Sequence, residues 1–344
     1  MSNDIITFMK NFYDLNLEEL TEELQPLFFP VYKIKEIFSW IYKKNAADFE
    51  QITTLSKQER NLLAEKFTCV LPAFTKIVSK GSVKYRIALN EELIIESVVL
   101  KEKDYYTLCV SSQAGCPLGC VFCATGKYGF RRNLTAGEII AQYMIAVKSG
   151  YVIKNLVFMG MGEPLLNIAE VLKAVHVLNH KLGANIGIRN FTISTSGILA
   201  GIERLLESPM KFNLAISLNA GDDSLRSSLM PVNKTNPLSK LLRAASRYAE
   251  KTGRRVSFEY VLLKNINDSA LHAQQLVKAL RHKGFHINLI PFNNIDNEYI
   301  APSVAEVKNF ANILTENGLN VTIRYSKGAE ISAACGMLAN KSCF

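Results

Sequence analysis

The chain has 344 residues, a length that suggests about two domains. Its hydrophobic fraction of 48% and charged fraction of 21% are those of a globular protein, and they exclude a largely disordered chain. Its formal net charge of +9 favours a polyanionic partner such as nucleic acid.

The N-terminal segment is acidic, with six Asp and Glu residues against one Lys in residues 1–29, the reverse of a secretory or transit peptide. No apolar run approaches the roughly 18 residues that a membrane span requires. We therefore expect a cytoplasmic protein. In a reducing compartment its seven cysteines are expected to bind metal or to react rather than to form structural disulfides.

Residues 1 to about 80 have the pattern of helices. Apolar residues recur at helical spacing in "VYKIKEIFSWIYKK", and Ser56 with Glu59 forms a capping box before the next helix. Residues 84–113 are instead rich in β-forming segments. We predict a helical domain with a short β linker at residues 1–95, and a second domain at residues 96–344.

The second domain alternates between strands and helices. Apolar, β-branched segments begin near residues 106, 155, 190, 212, 255 and 286, and a final strand begins near 320. Capping boxes announce helices between them, at Thr135 with Glu138, Asn167 with Glu170, and Ser303 with Glu306. Six alternations predict a parallel sheet but fall short of the eight of a closed barrel. The predicted fold is an α/β partial (βα)6 barrel, with its chemistry at the carboxyl ends of the strands.

Three cysteines, Cys116, Cys120 and Cys123, follow the first barrel strand in the sequence "CPLGCVFC". A structural zinc site normally gathers four ligands in paired C-x2-C units, and a complete iron-sulfur cluster takes four thiolates. Three thiolates in C-x3-C-x2-C spacing would leave one iron open. The alternative is a zinc loop with a remote fourth ligand.

This spacing, with the aromatic Phe122 before the last cysteine, resembles the radical S-adenosylmethionine (SAM) superfamily. The resemblance implies that the open iron of a 4Fe-4S cluster binds the amino and carboxylate groups of SAM. Reduction of the sulfonium then releases a 5'-deoxyadenosyl radical. Cys116, Cys120 and Cys123 would be the cluster ligands.

The sequence "FMGMGEP" after the second barrel strand resembles the glycine-rich SAM motif of that superfamily, in which Gly162 permits close backbone approach and Glu163 accepts from the SAM ammonium group. The same resemblance places further SAM contacts at later strand ends, at Ser194, Ser217, Leu218, Asn219 and Asn293. Each of these, taken alone, would be an ordinary helix or turn cap. Asn219 stands where the family has histidine, and Asn294 where it has proline.

A narrower resemblance covers essentially the whole chain. The stretches "LCVSSQAGCPLGCVFCATGKYGFRRNLTAGEI", "VFMGMGEPLLN" and "ISAACGML" are similar to the RlmN/Cfr family of radical SAM RNA methyltransferases. The resemblance implies methylation of adenine carbon 2 in 23S ribosomal RNA and in transfer RNA, an RNA-facing N-terminal domain, and a one-electron donor such as flavodoxin. The alternatives are methylation of adenine carbon 8, or a non-enzymatic, zinc-stabilised RNA-binding protein.

The chemistry that the resemblance implies uses two SAM molecules per turnover, because adenine carbon 2 is too electron-poor to attack a methyl group. One SAM methylates Cys335, and the second provides the radical that activates this methyl group for addition to adenine. Glu96 would accept the proton from the adenine carbon, and Cys109 would release the product by forming a transient disulfide with Cys335. Without the resemblance, Cys109 would be a buried core thiol and Glu96 a surface carboxylate.

Other residues fit no role in this chemistry. Cys69 and Cys343 are interpreted as structural or incidental, and Met159 and Met161 as packing residues. Three segments that mix basic and aromatic residues are predicted to contact RNA, although each could be an ordinary solvated face: 126–132, 76–86 and 281–286.

Overall fold

The computed structural model describes residues 9–280, 284–294 and 298–339. Its first part is a small helical unit made of α1 (Leu17–Leu24), α2 (Val31–Tyr42) and α3 (Lys57–Lys66). Strand β1 (Lys10–Asn11) pairs in parallel with β2 (Phe67–Thr68), which joins the two ends of the unit. The predicted capping box of Ser56 and Glu59 begins α3.

A ten-stranded sheet forms the rest of the framework. Three antiparallel strands come first: β3 (Phe74–Ser79), β4 (Ser82–Ala88) and β5 (Ile94–Lys101). Strand β5 then pairs antiparallel with β6 (Tyr106–Cys109). A separate two-stranded ribbon of β7 (Gln113–Gly115) and β8 (Phe130–Asn133) encloses the three-cysteine loop.

The remaining six strands continue in parallel from β6, in chain order across the sheet. They are β9 (Ile153–Phe158), β10 (Phe191–Thr195), β11 (Asn213–Ser217), β12 (Val256–Leu262), β13 (His286–Pro291) and β14 (Asn320–Ile323). These strands and β6 coincide with the seven predicted segments. Side chains from β5 and from the end of β14 line one cavity, so the sheet curls.

Helices connect the parallel strands, as such strands require. In chain order they are α4 (Ala124–Lys127), α5 (Ala136–Lys148), α6 (Ile168–Asn179), α7 (Leu199–Glu207), α8 (Asp223–Leu229), α9 (Leu238–Thr252), α10 (Ala270–Leu280) and α11 (Val304–Glu316). Short 3-10 helices lie at Phe12–Asp14, Gln25–Leu27, Phe49–Gln51, Pro164–Leu166, Ile188–Asn190, Pro231–Lys234 and Ala329–Ile331. The predicted α/β partial barrel is confirmed.

The N-terminal unit packs against the barrel through α5 and α6. The Asp14 carboxylate accepts from the first-turn Gly137 amide of α5 at 2.7 Å. Lys173 of α6 pairs with Glu19 at 2.8 Å. The predicted boundary near residue 95 falls inside β5, so the sheet passes through it. The division into two domains there stays a prediction.

One predicted capping box is wrong. Asn167 begins α6 without a side-chain cap, because its amide donates at 2.8 Å to the carbonyls of both Ser112 and Leu134. Glu170 instead accepts from the Ala136 amide of α5 at 2.8 Å. The two side chains join neighbouring loops rather than closing one helix. The boxes at Thr135 and Ser303 are present as predicted.

The helices are short or amphipathic. Among the residues that the structure describes, none is both long enough and apolar enough to cross a membrane.

Candidate active site

The three-cysteine loop closes one side of a cavity of about 1060 Å³, counting its open mouth. Cys116, Cys120 and Cys123 all line it. The turn before them depends on Gly115, because a Cβ there would lie 1.9 Å from the Gly129 carbonyl oxygen. A small apolar cluster supports the loop from behind: Cys120, Leu229, Met230, Val232, Leu263 and Phe292.

Burial lowers the acidity of two of these thiols, Cys116 and Cys120. It raises the pKa of Cys116 to about 12, and it raises the pKa of Cys120, with the neighbouring Cys123 adding to the effect. Such thiols ionise only with a compensating positive charge, which a metal centre supplies.

Three thiols around one cavity are a donor set that fits an iron-sulfur cluster with one iron left open. The described part of the chain contains no three His, Cys, Asp or Glu side chains that converge on a single metal ion. A cluster does not require such convergence, since each thiolate binds a different iron.

Gly162 and Glu163 form the next part of the wall, after β9. Gly162 has φ of +99°, and a Cβ there would lie 2.5 Å from Cβ of Gln113. The close approach that requires glycine is therefore to Gln113, whose side-chain oxygen accepts from the Glu163 amide at 2.8 Å.

The Glu163 carboxylate is buried, and burial raises its pKa. It accepts from the backbone amides of Ser196 at 2.7 Å and Leu165 at 3.1 Å. These bonds fix its orientation. Each carboxylate oxygen retains accepting capacity for a ligand, because an ionised carboxylate offers about four acceptor sites.

The predicted SAM contacts at later strand ends divide into two groups. Ser194, Ser217 and Asn293 line the cavity. Leu218 and Asn219 do not line it: Leu218 is fully buried, and Asn219 adopts φ of +61° with its side-chain oxygen accepting from the Val261 amide at 2.8 Å. The structure thus gives Asn219 a backbone-bridging position, and its predicted contact with SAM stays untested.

Cys335 lies where the first cavity meets a second one, and it lines both. Cys109, at the end of β6, lines the second cavity. Cys335 is exposed, but the surface that it exposes faces these cavities, and protein surrounds it. The fold therefore brings together two cysteines that are far apart in sequence, and places one of them beside the three-cysteine loop.

Burial raises the pKa of both thiols. Burial raises the pKa of Cys109 well above its ordinary range, and the nearby Cys335 raises it further. Burial also raises the pKa of Cys335, whereas the nearby Arg324 lowers it. Both thiols are protonated in the absence of a ligand, so reaction at either sulfur requires removal of its proton.

Glu96 lies on β5, away from the walls of the first cavity, and is only 3% exposed. Its carboxylate pairs with Lys84 at 3.1 Å and accepts from the Ala339 amide at 3.2 Å. Burial raises its pKa, and Lys84 opposes that effect. The expected surface carboxylate is thus a buried one, covered by the chain that follows Cys335.

Sequence reasoning missed two charged residues of the cavity, Glu259 and Arg324. One Glu259 oxygen accepts from Asn288 at 2.8 Å, and the other lies 3.8 Å from the Arg324 guanidinium. A carboxylate in the middle of the apolar strand "RVSFEYVLL" was the available signal, since buried glutamates are rare without a partner.

Arg226 was also missed. It is fully buried on α8 and donates to the carbonyls of Ser196, Ser217 and Leu218 at 2.7 to 3.0 Å. Burial lowers its pKa to about 10. It ties together the loops after β10 and β11, and nothing in the local sequence indicates this role.

The predicted RNA-contact segments are only partly exposed. Tyr128 and Phe130 are exposed beside the cysteine loop. In the segment 76–86, Lys84 is buried and pairs with Glu96, so this lysine is not available to RNA. The contact of the segment with RNA stays a prediction. In the segment 281–286, residues 281–283 lie outside the described residues.

The remaining sequence predictions concern sulfur-containing residues. Cys69 is buried in the N-terminal unit, where its thiol lies 3.5 Å from the Ala47 carbonyl. Cys343 lies outside the described residues. Met161 is buried, whereas Met159 lines both cavities.

Comparison with known proteins agrees with this geometry. The family model "Radical SAM superfamily" matches residues 110–277, and "Ribosomal RNA large subunit methyltransferase N-terminal domain" matches residues 10–69. A solved structure titled as a radical SAM methyltransferase from Sphaerobacter thermophilus superposes with a TM-score of 0.90 at 41% identity, covering 96% of this chain and 99% of that one.

Curated relatives match over nearly their whole length. A "Probable dual-specificity RNA methyltransferase RlmN" from Dictyoglomus thermophilum is 43% identical, covering 96% of this chain and 97% of that protein. One of the same name from Carboxydothermus hydrogenoformans is 44% identical, covering 97% and 99%. The chain belongs to the RlmN family within the radical SAM superfamily, whose members use a 4Fe-4S cluster and SAM.

Proposed function

We propose that this protein methylates carbon 2 of an adenine in 23S ribosomal RNA, and of an adenine in transfer RNA, with Cys335 as the methyl carrier. The observation that carries the proposal is the position of Cys335 at the junction of two cavities. It faces the three-cysteine loop on one side and Cys109 on the other. The names of the RlmN relatives and of the matching N-terminal model support RNA as the substrate.

The first step needs the Cys335 sulfur to attack the methyl group of SAM. The new bond joins this sulfur to the methyl carbon, the bond from that carbon to the sulfonium breaks, and the thiol proton passes to solvent. Glu163, Ser194 and Ser217 line the space where SAM would be held. When bound, the cluster would supply the electron that cleaves a second SAM.

The later steps use Glu96 and Cys109. The 5'-deoxyadenosyl radical takes a hydrogen atom from the Cys335 methyl group, and the carbon radical that remains adds to the adenine. The radical adduct gives up one electron, which the cluster, when bound, would take back. Glu96 accepts the proton from the adenine carbon. The Cys109 thiolate then attacks the Cys335 sulfur. A disulfide forms as the sulfur–carbon bond to the product breaks, and the electrons of that bond take up a proton.

The domain of residues 1–95 would face the RNA. In the second domain, the exposed Tyr128 and Phe130 offer surfaces on which bases can stack. A target adenine has to leave its stack to reach Cys335, as for other base-modifying enzymes. A small electron carrier such as flavodoxin would supply the reducing electron.

Mass analysis of nucleosides from RNA treated with the reconstituted protein tests this function. We expect 2-methyladenosine from the wild type and none from Cys335→Ala, which removes only the thiol. Finding 8-methyladenosine instead would show that the protein methylates carbon 8 of adenine rather than carbon 2. Normal product from Cys335→Ala would refute the methyl-carrier role.

A further inference from the structure

A buried ion pair outside both cavities touches the chain on each side of Cys335. Lys84 and Glu96 are 6% and 3% exposed. Lys84 donates to the Ser332 carbonyl at 3.3 Å, and Glu96 accepts from the Ala339 amide at 3.2 Å. We define residues 328–339 as the carrier segment. The ion pair therefore holds the carrier segment at two points, three residues before and four residues after Cys335.

The pair is buried by the carrier segment itself. Lys84 and Glu96 lie on adjacent strands, β4 and β5, at diagonal positions of one face, since Arg86 is the direct register partner of Glu96. Val98 and Leu100 continue that face and line the second cavity together with Ala333, Ala334 and Leu338 of the segment. An open hairpin would leave such charges in water, so their burial depends on the segment being seated.

The backbone of the segment needs external support. Ser332 has φ of +52° and lies between Gly328 and Gly336, whose φ values are +79° and +84°. A non-glycine residue stays in this left-handed region only where its surroundings impose it. The Lys84 ammonium holds the carbonyl of this residue, which supplies such a constraint.

Other contacts seat the segment against the three-cysteine loop. The Ala124 amide donates to the Gly336 carbonyl at 2.8 Å, and the Thr125 hydroxyl donates to the Leu338 carbonyl at 2.6 Å. Asn293 donates to the Cys335 carbonyl at 3.0 Å. The carrier segment thus bridges the cluster loop and the β4–β5 face, and the position of Cys335 depends on both supports.

We propose that Lys84 and Glu96 are positioning residues that anchor the carrier segment and so place the Cys335 sulfur for methyl transfer. The proposal rests on the methyl-carrier role of Cys335. Removing Lys84 leaves the buried Glu96 carboxylate with Arg86 alone, at 3.8 Å, and removing the Glu96 charge leaves Lys84 buried without its partner. Either change is more costly than losing an exposed pair. In this role Glu96 acts before RNA binds, with its carboxylate held by Lys84. Its role as proton acceptor would follow movement of the segment.

The test compares full-length, cluster-reconstituted variants by two measurements. Hydrogen exchange reports on the segment directly, and mass analysis reports the methyl group on Cys335 after incubation with SAM. For Lys84→Met and Glu96→Gln we expect at least about tenfold faster exchange in the peptide that contains Ala339. We expect a similar loss in the rate of Cys335 methylation. Lys84→Arg, which retains the charge, restores both in part.

Lys148→Met is the matched control. The Lys148 ammonium also donates to a backbone carbonyl, that of Ala46 at 3.2 Å, but it lies on α5 and its bond is to the N-terminal unit rather than to the segment. We expect this variant to exchange and methylate like the wild type. If Lys84→Met does not fold, Glu96→Gln carries the test, because it keeps the size of the side chain and removes the charge that pairs with Lys84.

Wild-type exchange in both Lys84→Met and Glu96→Gln would overturn the anchor. The anchor would also be overturned if these variants methylate Cys335 normally and fail only to methylate RNA. That is the result expected if Glu96 acts as a proton acceptor alone. A different result would separate the two proposals. If the variants exchange faster than the wild type as expected, but the wild type never carries a methyl group on Cys335, the proposed function is refuted and the anchor is retained.

Discussion

At the scale of single residues, several side chains of the site are held by bonds to backbone groups. Glu163 is fixed by two amides, Asn293 by its bond to the Cys335 carbonyl, and Arg226 by three carbonyls. Such bonds fix the loops and the side chains together. A cavity built in this way is preorganised, which reduces the cost of ordering a ligand within it.

Gly162 offers a quantitative check of this packing. Gly162→Ala puts a Cβ 2.5 Å from Cβ of Gln113 at φ of +99°. We expect the free energy of unfolding, measured by urea denaturation, to fall by about 2–4 kcal/mol from backbone strain and overpacking together.

Gly150→Ala is the control for that variant. Gly150 has φ of +93°, but no atom lies within 4 Å of a Cβ built there. Its substitution should cost only the backbone strain, about 1–2 kcal/mol. An equal loss in both variants would show that the contact with Gln113 contributes nothing.

The motif residues were predictable because close spacing carries the signal. Spacing alone singled out Cys116, Cys120 and Cys123, and family resemblance singled out Cys335 and Cys109; all five line the cavities. Glu259, Arg324 and Lys84 escaped because each is a single charge whose partner is distant in sequence: Arg324 is 65 residues from Glu259, and Ser332 is 248 residues from Lys84. Such pairing becomes visible only when the sheet is assembled.

At the scale of elements, helix starts follow the sequence where the cap is local. The boxes of Ser56, Thr135 and Ser303 are closed by a glutamate three residues later. Asn167 fails because a tertiary alternative is available: its amide donates to two carbonyls of neighbouring loops, those of Ser112 and Leu134. Capping rules consider only the residues of one helix. A buried asparagine can instead form hydrogen bonds to other parts of the fold.

The cap of α3 gives a pH-dependent prediction. The bond from Lys33 lowers the pKa of Glu59 below its ordinary value of 4.5, and the Ser56 amide lowers it further. A lowered folded-state pKa adds stability that is present above pH 4.5 and is lost as the pH falls through the folded value. Glu59→Gln keeps the capping geometry without the charge.

We therefore expect Glu59→Gln to unfold more easily than the wild type at pH 7 and equally easily at a pH below the folded value. Urea denaturation at both pH values measures the difference. The pair with Lys33 is partly exposed, so high salt should shrink the effect. A stability difference between the two proteins that grows towards low pH would contradict the lowered pKa of Glu59.

At the scale of the whole molecule, one sheet carries both the site and its support. The parallel strands were predictable from their apolar, β-branched segments and the helices between them. Strand β3 falls within residues 1 to about 80, so the prediction of helices there is wrong for Phe74–Ser79. Strands β4 and β5 were predicted only as a β linker, because local β-propensity does not reveal that β5 pairs with β6. That pairing makes the hairpin one wall of the cavity shared by Cys109 and Cys335.

The continuous sheet predicts how fragments behave. A fragment of residues 96–344 begins inside β5 and lacks β3 and β4, so it should show no cooperative thermal melt. A fragment of residues 70–344 keeps all ten strands and should melt cooperatively, at a lower temperature than the full chain, because α5 and α6 lose their N-terminal cover. Circular dichroism during heating measures both. A cooperative melt of the shorter fragment would contradict this account.

The central claim is that the methyl group passes through Cys335 on its way to adenine. Incubation with SAM bearing a trideuterated methyl group, followed by mass analysis of the Cys335 peptide and of the RNA nucleosides, tests it most directly. We predict the intact label on Cys335 before RNA is added, and then on adenine with one deuterium replaced by hydrogen, because one is removed to activate the methyl group. Label on adenine with all three deuteriums, from a protein whose Cys335 never carries it, would contradict the claim.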